Sequence, residues 1–320
     1  MYKTAKPIFL IAETAVHPGS GSDLGYIDNP IQREVHTGYP KIEGSSLKGA
    51  LRQAFEIKKS DENYWIKLNR VFGYDEDLPN NIKKAVDEYF GDKKDFAGAI
   101  AFTDARILLF PVKSLKSTFA WITCPRVLAK FKQELTDICN ASENIPSITL
   151  ENDNAIIPSF SNLEIENNKI QLDEYIYTID KGVANSPVDK LAQWLQKNVF
   201  LNNGLEVGDI TKNLVVVPND DFAYFVKYGT EVATRIKIDN ETGTVKEGAL
   251  FTVEYLPSDA VMYSLAMFAP EFRKGGMDEG KVEKFFDDNK LSYIQLGGDA
   301  TLGKGIFRLN VLNSKNQENG

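Results

Sequence analysis

Two glycine-rich stretches lie near opposite ends of the chain, and each follows an apolar run that reads as a β-strand. The first runs His17-Pro-Gly-Ser-Gly-Ser-Asp-Leu-Gly25, continues through Asp28-Asn-Pro-Ile-Gln-Arg-Glu34 and closes with Gly44-Ser-Ser-Leu-Lys-Gly-Ala-Leu-Arg52. The second is Leu296-Gly-Gly-Asp-Ala-Thr-Leu-Gly-Lys-Gly305. A strand that empties into glycine-rich backbone exposes N–H groups at a sheet edge, and concave backbone of that kind binds phosphate oxygens. The chain is therefore expected to be a sheet protein whose edge loops carry its function. Its only two histidines, His17 and His36, fall in the first stretch on either side of Asp28.

Bulk properties narrow the class. The 320 residues suffice for one large domain or two small ones, and 42 % hydrophobic with 26 % charged residues is ordinary globular composition. The run Pro7-Ile-Phe-Leu-Ile-Ala12 is too short for a membrane span and reads as the first strand; no membrane partner is expected. Cys124 and Cys139 have neither the number nor the spacing for a disulfide framework or a zinc site, so a reduced, cytoplasmic setting is expected. A net charge of −8 argues against a free-standing nucleic-acid binder, because phosphate affinity normally comes from a basic field. It leaves room for a narrow basic face, or for one member of an assembly.

Along the chain, residues 6–16 read as the first strand and 17–43 as a long loop, a length that is usually functional or disordered. Ser45 reads as a helix N-cap, followed by an apolar face of Leu47, Ala50, Leu51, Ala54 and Phe55, with Lys48 and Arg52 one turn apart on the other side. Residues 60–97 read as an inserted helical segment with helices near 63–72 and 82–90. Strands are expected at 99–102, 107–110 and 117–123, then a helix from Pro125 with the stripe Val127, Leu128, Phe131, Leu135 and Ile138. Short strands near 147–150 and 170–178 precede a helix capped by Ser186, and 214–217 reads as a buried strand. Residues 234–239 and 244–255 alternate in period two across Asn240-Glu-Thr-Gly243, a hairpin signature. Strands at 261–268, 293–296 and 306–311, a short helix at 282–286 and a polar tail at 314–320 complete an α+β pattern.

Several motifs admit two readings from the residues alone. Gly298–Lys304 has the spacing of a nucleotide-binding P-loop, but Gly305 stands where Ser or Thr must hold Mg²⁺, and a strand follows where a helix is required. A plain turn or a backbone-lined nucleic-acid contact remains for Gly297, Gly298 and Lys304. Ser45, Ser46, Lys48 and Arg52 form either a phosphate grip at a helix start or a solvated helix face. Asp28, held off any helix by Asn29-Pro30, is a turn-former, a metal ligand or a general base. In the hairpin, Thr234, Ile236 and Ile238 share one face while Arg235 and Lys237 share the other. Such a hairpin is either a half-buried sheet edge or a wedge for stacked bases.

Taken together these segments closely resemble the repeated backbone RAMP subunit of the type III-B CRISPR (Cmr) effector complex. Asp104-Ala-Arg, Pro111-Val-Lys-Ser-Leu-Lys116, Phe119-Ala-Trp-Ile-Thr-Cys-Pro125, Thr234–Asp239 and Gly243–Phe251 add to the likeness, which covers most of 5–130 and 212–310 in order. The resemblance implies a single domain over 1–320 with a modified ferredoxin-like (RRM-type) core and a hairpin thumb at 230–256. It implies copies stacked head to tail along a CRISPR RNA beside other Cmr subunits, with a complementary single-stranded target RNA as substrate. By the same likeness Asp28 would carry target cleavage with a divalent metal (Mg or Mn), bound with the target. His17 would assist cleavage or shape the loop, and Lys48 and its neighbours would lie on guide phosphates. The alternatives are a guide-binding scaffold without chemistry and, from another class, a soluble enzyme acting on a small phosphorylated metabolite.

Overall fold

The structure, a computed structural model, describes residues 2–22, 25–57, 61–91, 97–140, 145–150, 154–200, 209–239, 241, 243–273 and 275–312. In chain order, β1 (Thr4–Ala12) leads through the first glycine-rich stretch and β2 (Lys41–Ile42) into α1 (Gly44–Glu56). Helices α2 (Glu62–Phe72) and α3 (Asn80–Phe90) follow, then β3 (Ile100–Phe102), β4 (Ala105–Lys113), β5 (Phe119–Thr123) and α4 (Pro125–Asp137). Next come β6 (Ala155–Ile157), the pair β7 (Lys169–Leu172) and β8 (Tyr175–Lys181), α5 (Pro187–Asn198), α6 (Ile210–Asn213), β9 (Leu214–Val216) and α7 (Asn219–Tyr228). The hairpin β10 (Glu231–Ile238) and β11 (Val245–Tyr255) precedes β12 (Val261–Phe268), α8 (Glu279–Asp288), β13 (Tyr293–Gln295) and β14 (Ile306–Val311).

Six of these elements reproduce the βαββαβ ferredoxin-like order: β1, α1, β4, β12, α8 and β14. Their four strands lie as β14-β1-β12-β4, and every neighbouring pair is antiparallel. The sheet continues from β4 through β5, β9, β6, β8 and β7, and β13 flanks β14. Residues 114–260 are thus an excursion between the second and third core strands. β1 is buried at eight of its nine positions, as a central strand covered on both faces must be. Its one charge, Lys6, is buried and held by Glu283 at 2.7 Å and Asp287 at 2.6 Å, which seats α8 on the sheet.

The apolar faces read from the sequence locate the core. Leu47, Leu51 and Phe55 of α1 are buried, and the Phe55 ring meets Phe72 of α2 at 5.4 Å and Phe286 of α8 at 5.9 Å. The apolar residues of α2 and α3 join the same continuous core as those of the sheet. β10 and β11 form a separate two-stranded sheet, rooted on a small cluster of Ala15, Val253, Tyr255 and Ala233. Thr234 and Thr252 are paired, as are Ile236 and Leu250. Ile236, Ile238 and Leu250 are at least half exposed, so the hairpin carries an uncovered apolar face.

Several expectations need correction. Residues 13–16 leave the first strand, because Val16 pairs instead with Leu256 at the root of the hairpin. α1 starts at Gly44 with Glu43 in the cap position, so Ser45 lies inside the helix and caps nothing. The missing cap comes from Asp104, whose Oδ1 accepts the Gly44 N–H at 2.9 Å. Ile138 is exposed, since α4 ends at Asp137 before its stripe returns to the core. Residues 147–150 are irregular, and 170–178 is not one strand but two, turned at Asp173 in the left-handed region. α7 was not anticipated: Phe222, Phe225 and Val226 bury one face behind Pro218. Asn240 and Thr242 of the hairpin turn, and the 314–320 tail, lie outside the described residues.

Candidate functional site

The strand β11 is the platform on which the first glycine-rich stretch is mounted. Asn29 pairs alongside Val253 in parallel sense, its N–H donating to the Thr252 carbonyl and its carbonyl accepting from Glu254 N–H, each at 3.0 Å. Pro30 holds Asn29 in extended backbone, the conformation that such pairing needs. Glu254 then ties the loop to the root of the hairpin. Its buried carboxylate accepts the Ile31 N–H at 2.9 Å, the Thr230 hydroxyl at 2.7 Å and the Arg33 guanidinium at 2.5 Å.

Asp28 sits at the exposed start of this paired segment. Its N–H donates to Thr252 Oγ1 at 3.0 Å, and its Oδ2 accepts both the Thr252 N–H at 2.7 Å and the Thr252 hydroxyl at 2.9 Å. Those donors favour the ionised form, so the carboxyl is held below the usual carboxylate range, the backbone donor of Thr252 being the largest cause. Oδ1 has no hydrogen-bond partner among the described residues.

His17 hangs from the same strand. Its Nδ1 donates to the Glu254 carbonyl at 2.7 Å, and its ring meets Tyr255 edge-on at 5.7 Å. A carbonyl can only accept, so Nδ1 carries a proton. Nε2 lies against Gly19, where a Cβ would approach it to 2.8 Å. His36, by contrast, is exposed and has Glu34 at 3.9 Å as its partner.

The two glycine-rich stretches meet. The Gly298 N–H donates to the His17 carbonyl at 2.9 Å and the Gly305 N–H to the Ala15 carbonyl at 3.0 Å. Gly297 has φ +90°, and a Cβ there would stand 2.6 Å from the His17 carbonyl oxygen, so this crossing requires glycine. Around it opens a cleft of about 390 Å³, lined by Pro18 and Gly19, by Ser46, Ala50 and Gln53 of α1, and by Gln295–Gly298. Gly298 leads into a short 3₁₀ turn and then β14, so no P-loop helix forms.

The remaining cations divide into free and committed ones. Lys48 is half-buried with no hydrogen bond or ion pair among the described residues. Burial, and next the Arg52 charge, lower its pKa. Arg52 itself is committed to the fold: it donates to the Gly73 carbonyl at 2.6 Å, to Asn69 Oδ1 at 3.1 Å and to Glu56 at 2.9 Å, and lies 3.4 Å from Asp75. Ser45 and Ser46 are exposed on the first turn of α1. In the hairpin, Lys237 is exposed, whereas Arg235 pairs with Asp299 and Tyr255. Lys304 stands 5.1 Å over the Tyr255 ring.

Among the described residues no three His, Cys, Asp or Glu side chains converge as a metal site. For the expected divalent ion the described part of the loop offers the Asp28 carboxylate. A single carboxylate suits an ion whose other ligands are phosphate oxygens and water, as is common for Mg²⁺. Thr252, Glu254, Tyr255 and Asp299 escaped the sequence reading. Thr252 and Glu254 do alternate with Phe251 and Val253 on one strand, but nothing in that period shows which face meets a loop more than 220 positions earlier.

Comparison with known proteins agrees with this geometry. A family model described as the RAMP superfamily matches residues 9–308. The CRISPR system Cmr endoribonuclease Cmr4 of Pyrococcus furiosus is 37 % identical over 304 residues, 93 % of this chain and 92 % of that protein. The CRISPR system CMR subunit Cmr4 of Saccharolobus solfataricus is 28 % identical, with 98 % of each chain covered. A crystal structure of oligomeric Cmr4 from Pyrococcus furiosus superposes with a TM-score of 0.68 at 29 % identity, over 96 % of this chain and 97 % of that one. A subunit of the type III-B Cmr-beta complex bound to cognate target RNA shares the fold at the same TM-score, with 22 % identity, over 97 % and 98 %. The chain belongs to the RAMP superfamily, in its Cmr4 branch.

Proposed function

We propose that this chain is the repeated backbone subunit of a type III-B CRISPR effector, binding a CRISPR RNA and cleaving complementary target RNA at Asp28. The observation that carries the reading is the placement of Asp28. It is an exposed, ionised carboxylate on a loop rigidly paired to the root of a hairpin whose apolar face is uncovered. A half-exposed apolar hairpin face suits insertion between stacked bases, and a nucleotide pushed out of the stack frees its backbone to reach in-line geometry.

The cleft between α1 and the two glycine-rich stretches is the guide-side surface in this reading. Gly19, Ser46, Gly297 and Gly298 line it, while Lys48 lies around α1 on the Arg52 side and would meet a separate phosphate. Lys48 is half-buried without a partner among the described residues, and a phosphate oxygen would supply one. Repetition of a narrow basic strip along a filament reconciles guide binding with the net charge of −8.

For cleavage, the open Oδ1 of Asp28 as general base takes the proton of the ribose 2′-hydroxyl as its oxygen bonds to the adjacent phosphorus. The P–O5′ bond breaks, leaving a 2′,3′-cyclic phosphate and a 5′-oxygen that takes a proton from water. Alternatively, Asp28 would hold a divalent ion, which would supply neutralisation of the charge developing on the phosphate. His17 presents Nε2 beside the crossing of the two glycine-rich loops and keeps the loop's shape through its Nδ1 bond to β11. The test is Asp28→Asn in the reconstituted complex. Guide binding and assembly should be retained and target cleavage abolished; persistent cleavage would reduce the chain to a guide-binding scaffold. Assembly of the complex around neighbouring copies should also be needed for activity, which cleavage by the isolated chain would contradict.

A further inference from the structure

The geometry points to Thr252 as a positioning residue for the Asp28 carboxylate, coupling its orientation to the seating of the thumb. The inference rests on the catalytic reading of Asp28 just given. Three hydrogen bonds join the two residues, and they run in both directions: Asp28 N–H to Thr252 Oγ1, and Thr252 N–H and Oγ1–H to the single oxygen Oδ2. An ordinary turn-forming aspartate caps its own backbone within two or three residues. Here the partner lies across 224 positions of sequence, on the hairpin that is expected to touch the RNA.

The arrangement has a direction. With Oδ2 anchored twice, the carboxylate cannot spin about its Cβ–Cγ bond, and Oδ1 is fixed as the oxygen open to a substrate. A rotatable carboxylate on an exposed loop would present either oxygen in many orientations, and misplacement by about 1 Å can cost a hundredfold in rate. Thr252 and Thr234 sit opposite each other in the hairpin register, so a displacement of the thumb moves the anchor of Asp28 directly. Binding that seats the thumb therefore also aims the carboxylate.

The experiment compares Thr252→Val, Thr252→Ser and Asp28→Asn in the complex reconstituted with guide RNA and target RNA. Alongside it, the mobility of the Asp28 side-chain carboxyl is followed by carbon NMR relaxation at neutral pH in the purified chain. Thr252→Val should slow single-turnover cleavage ~10- to 100-fold with target binding retained. It should also loosen the Asp28 carboxyl, and Thr252→Ser should restore both. An unchanged carboxyl mobility in Thr252→Val overturns the inference, whether or not the rate falls. So does a rate loss that Thr252→Ser leaves uncorrected. Cleavage surviving Asp28→Asn would instead sink the catalytic reading, and the relaxation measurement would still decide whether Thr252 holds the carboxylate.

Discussion

Arg235 of the thumb and Asp299 of the second glycine-rich loop are ion-paired, Nη2 to Oδ2 at 3.1 Å, beside the Tyr255 hydroxyl that donates to the same Asp299 oxygen at 2.6 Å. A cation expected on RNA thus ties the hairpin to the glycine-rich crossing. Burial, and next the Asp299 acceptor, push the Tyr255 phenol up to about 12, so it remains a donor at neutral pH. Asp299→Ala should raise amide exchange across 231–238 and change global stability by only about 1 kcal/mol, since the pair is partly solvated. Exchange mass spectrometry with a denaturant titration checks both, and unchanged exchange would refute the tie.

Lys48 and Arg52, one turn apart, should separate cleanly on mutation. Lys48→Ala should weaken guide-RNA binding and lower the slope of log affinity against log salt by roughly 0.7, the loss of one phosphate contact on a single strand. Arg52→Ala should leave that slope alone and destabilise the fold by about 2 kcal/mol, because three acceptors lose a charged donor. Binding isotherms at several salt concentrations distinguish the two outcomes.

Glu254 is buried and holds Arg33, Ile31 and Thr230 at once. Glu254→Ala should cost about 3 kcal/mol, the scale for breaking a buried ion pair from one side. The damage should fall on the Asn29–Arg33 segment first. Faster exchange there than in β1 would confirm it, and uniform loosening would not.

Cys124 and Cys139 are buried free thiols whose pKa values burial pushes up to about 11 and about 12. The thiolate is the reactive species, so neither should react with an alkylating agent at neutral pH in the folded chain. Both should react once the chain is unfolded. Mass-resolved labelling reads this, and rapid native labelling of either would contradict the packing.

The sequence was most informative where a segment's own periodicity decides its structure. Leu47, Leu51 and Phe55 announced α1, Ser186-Pro187 announced α5, and the alternation in 244–255 announced β11. It misled where a distant residue intervenes. Ser45 looked like a cap because serine usually is one; only the fold reveals that Asp104 arrives from the turn between β3 and β4 to take the Gly44 N–H. Asp28 and His17 stood out by residue type and by family likeness. Their supports did not, because Thr252 and Glu254 become their neighbours only when residues 114–260 return to the core. Arg52 and Arg235 illustrate a related limit: guanidinium groups at a suggestive spacing serve a fold as readily as they serve phosphate.

The placement of residues 114–260 between two adjacent antiparallel strands has an evolutionary corollary. Everything in that span departs and re-enters through a single doorway, with β4 and β12 already stitched together at its threshold. Parts of the span that only decorate the surface can change at low risk to the scaffold. Phe131 and Trp194, which pack on Phe9, cannot drift on their own, and neither can β11, which must keep matching the Asn29 loop.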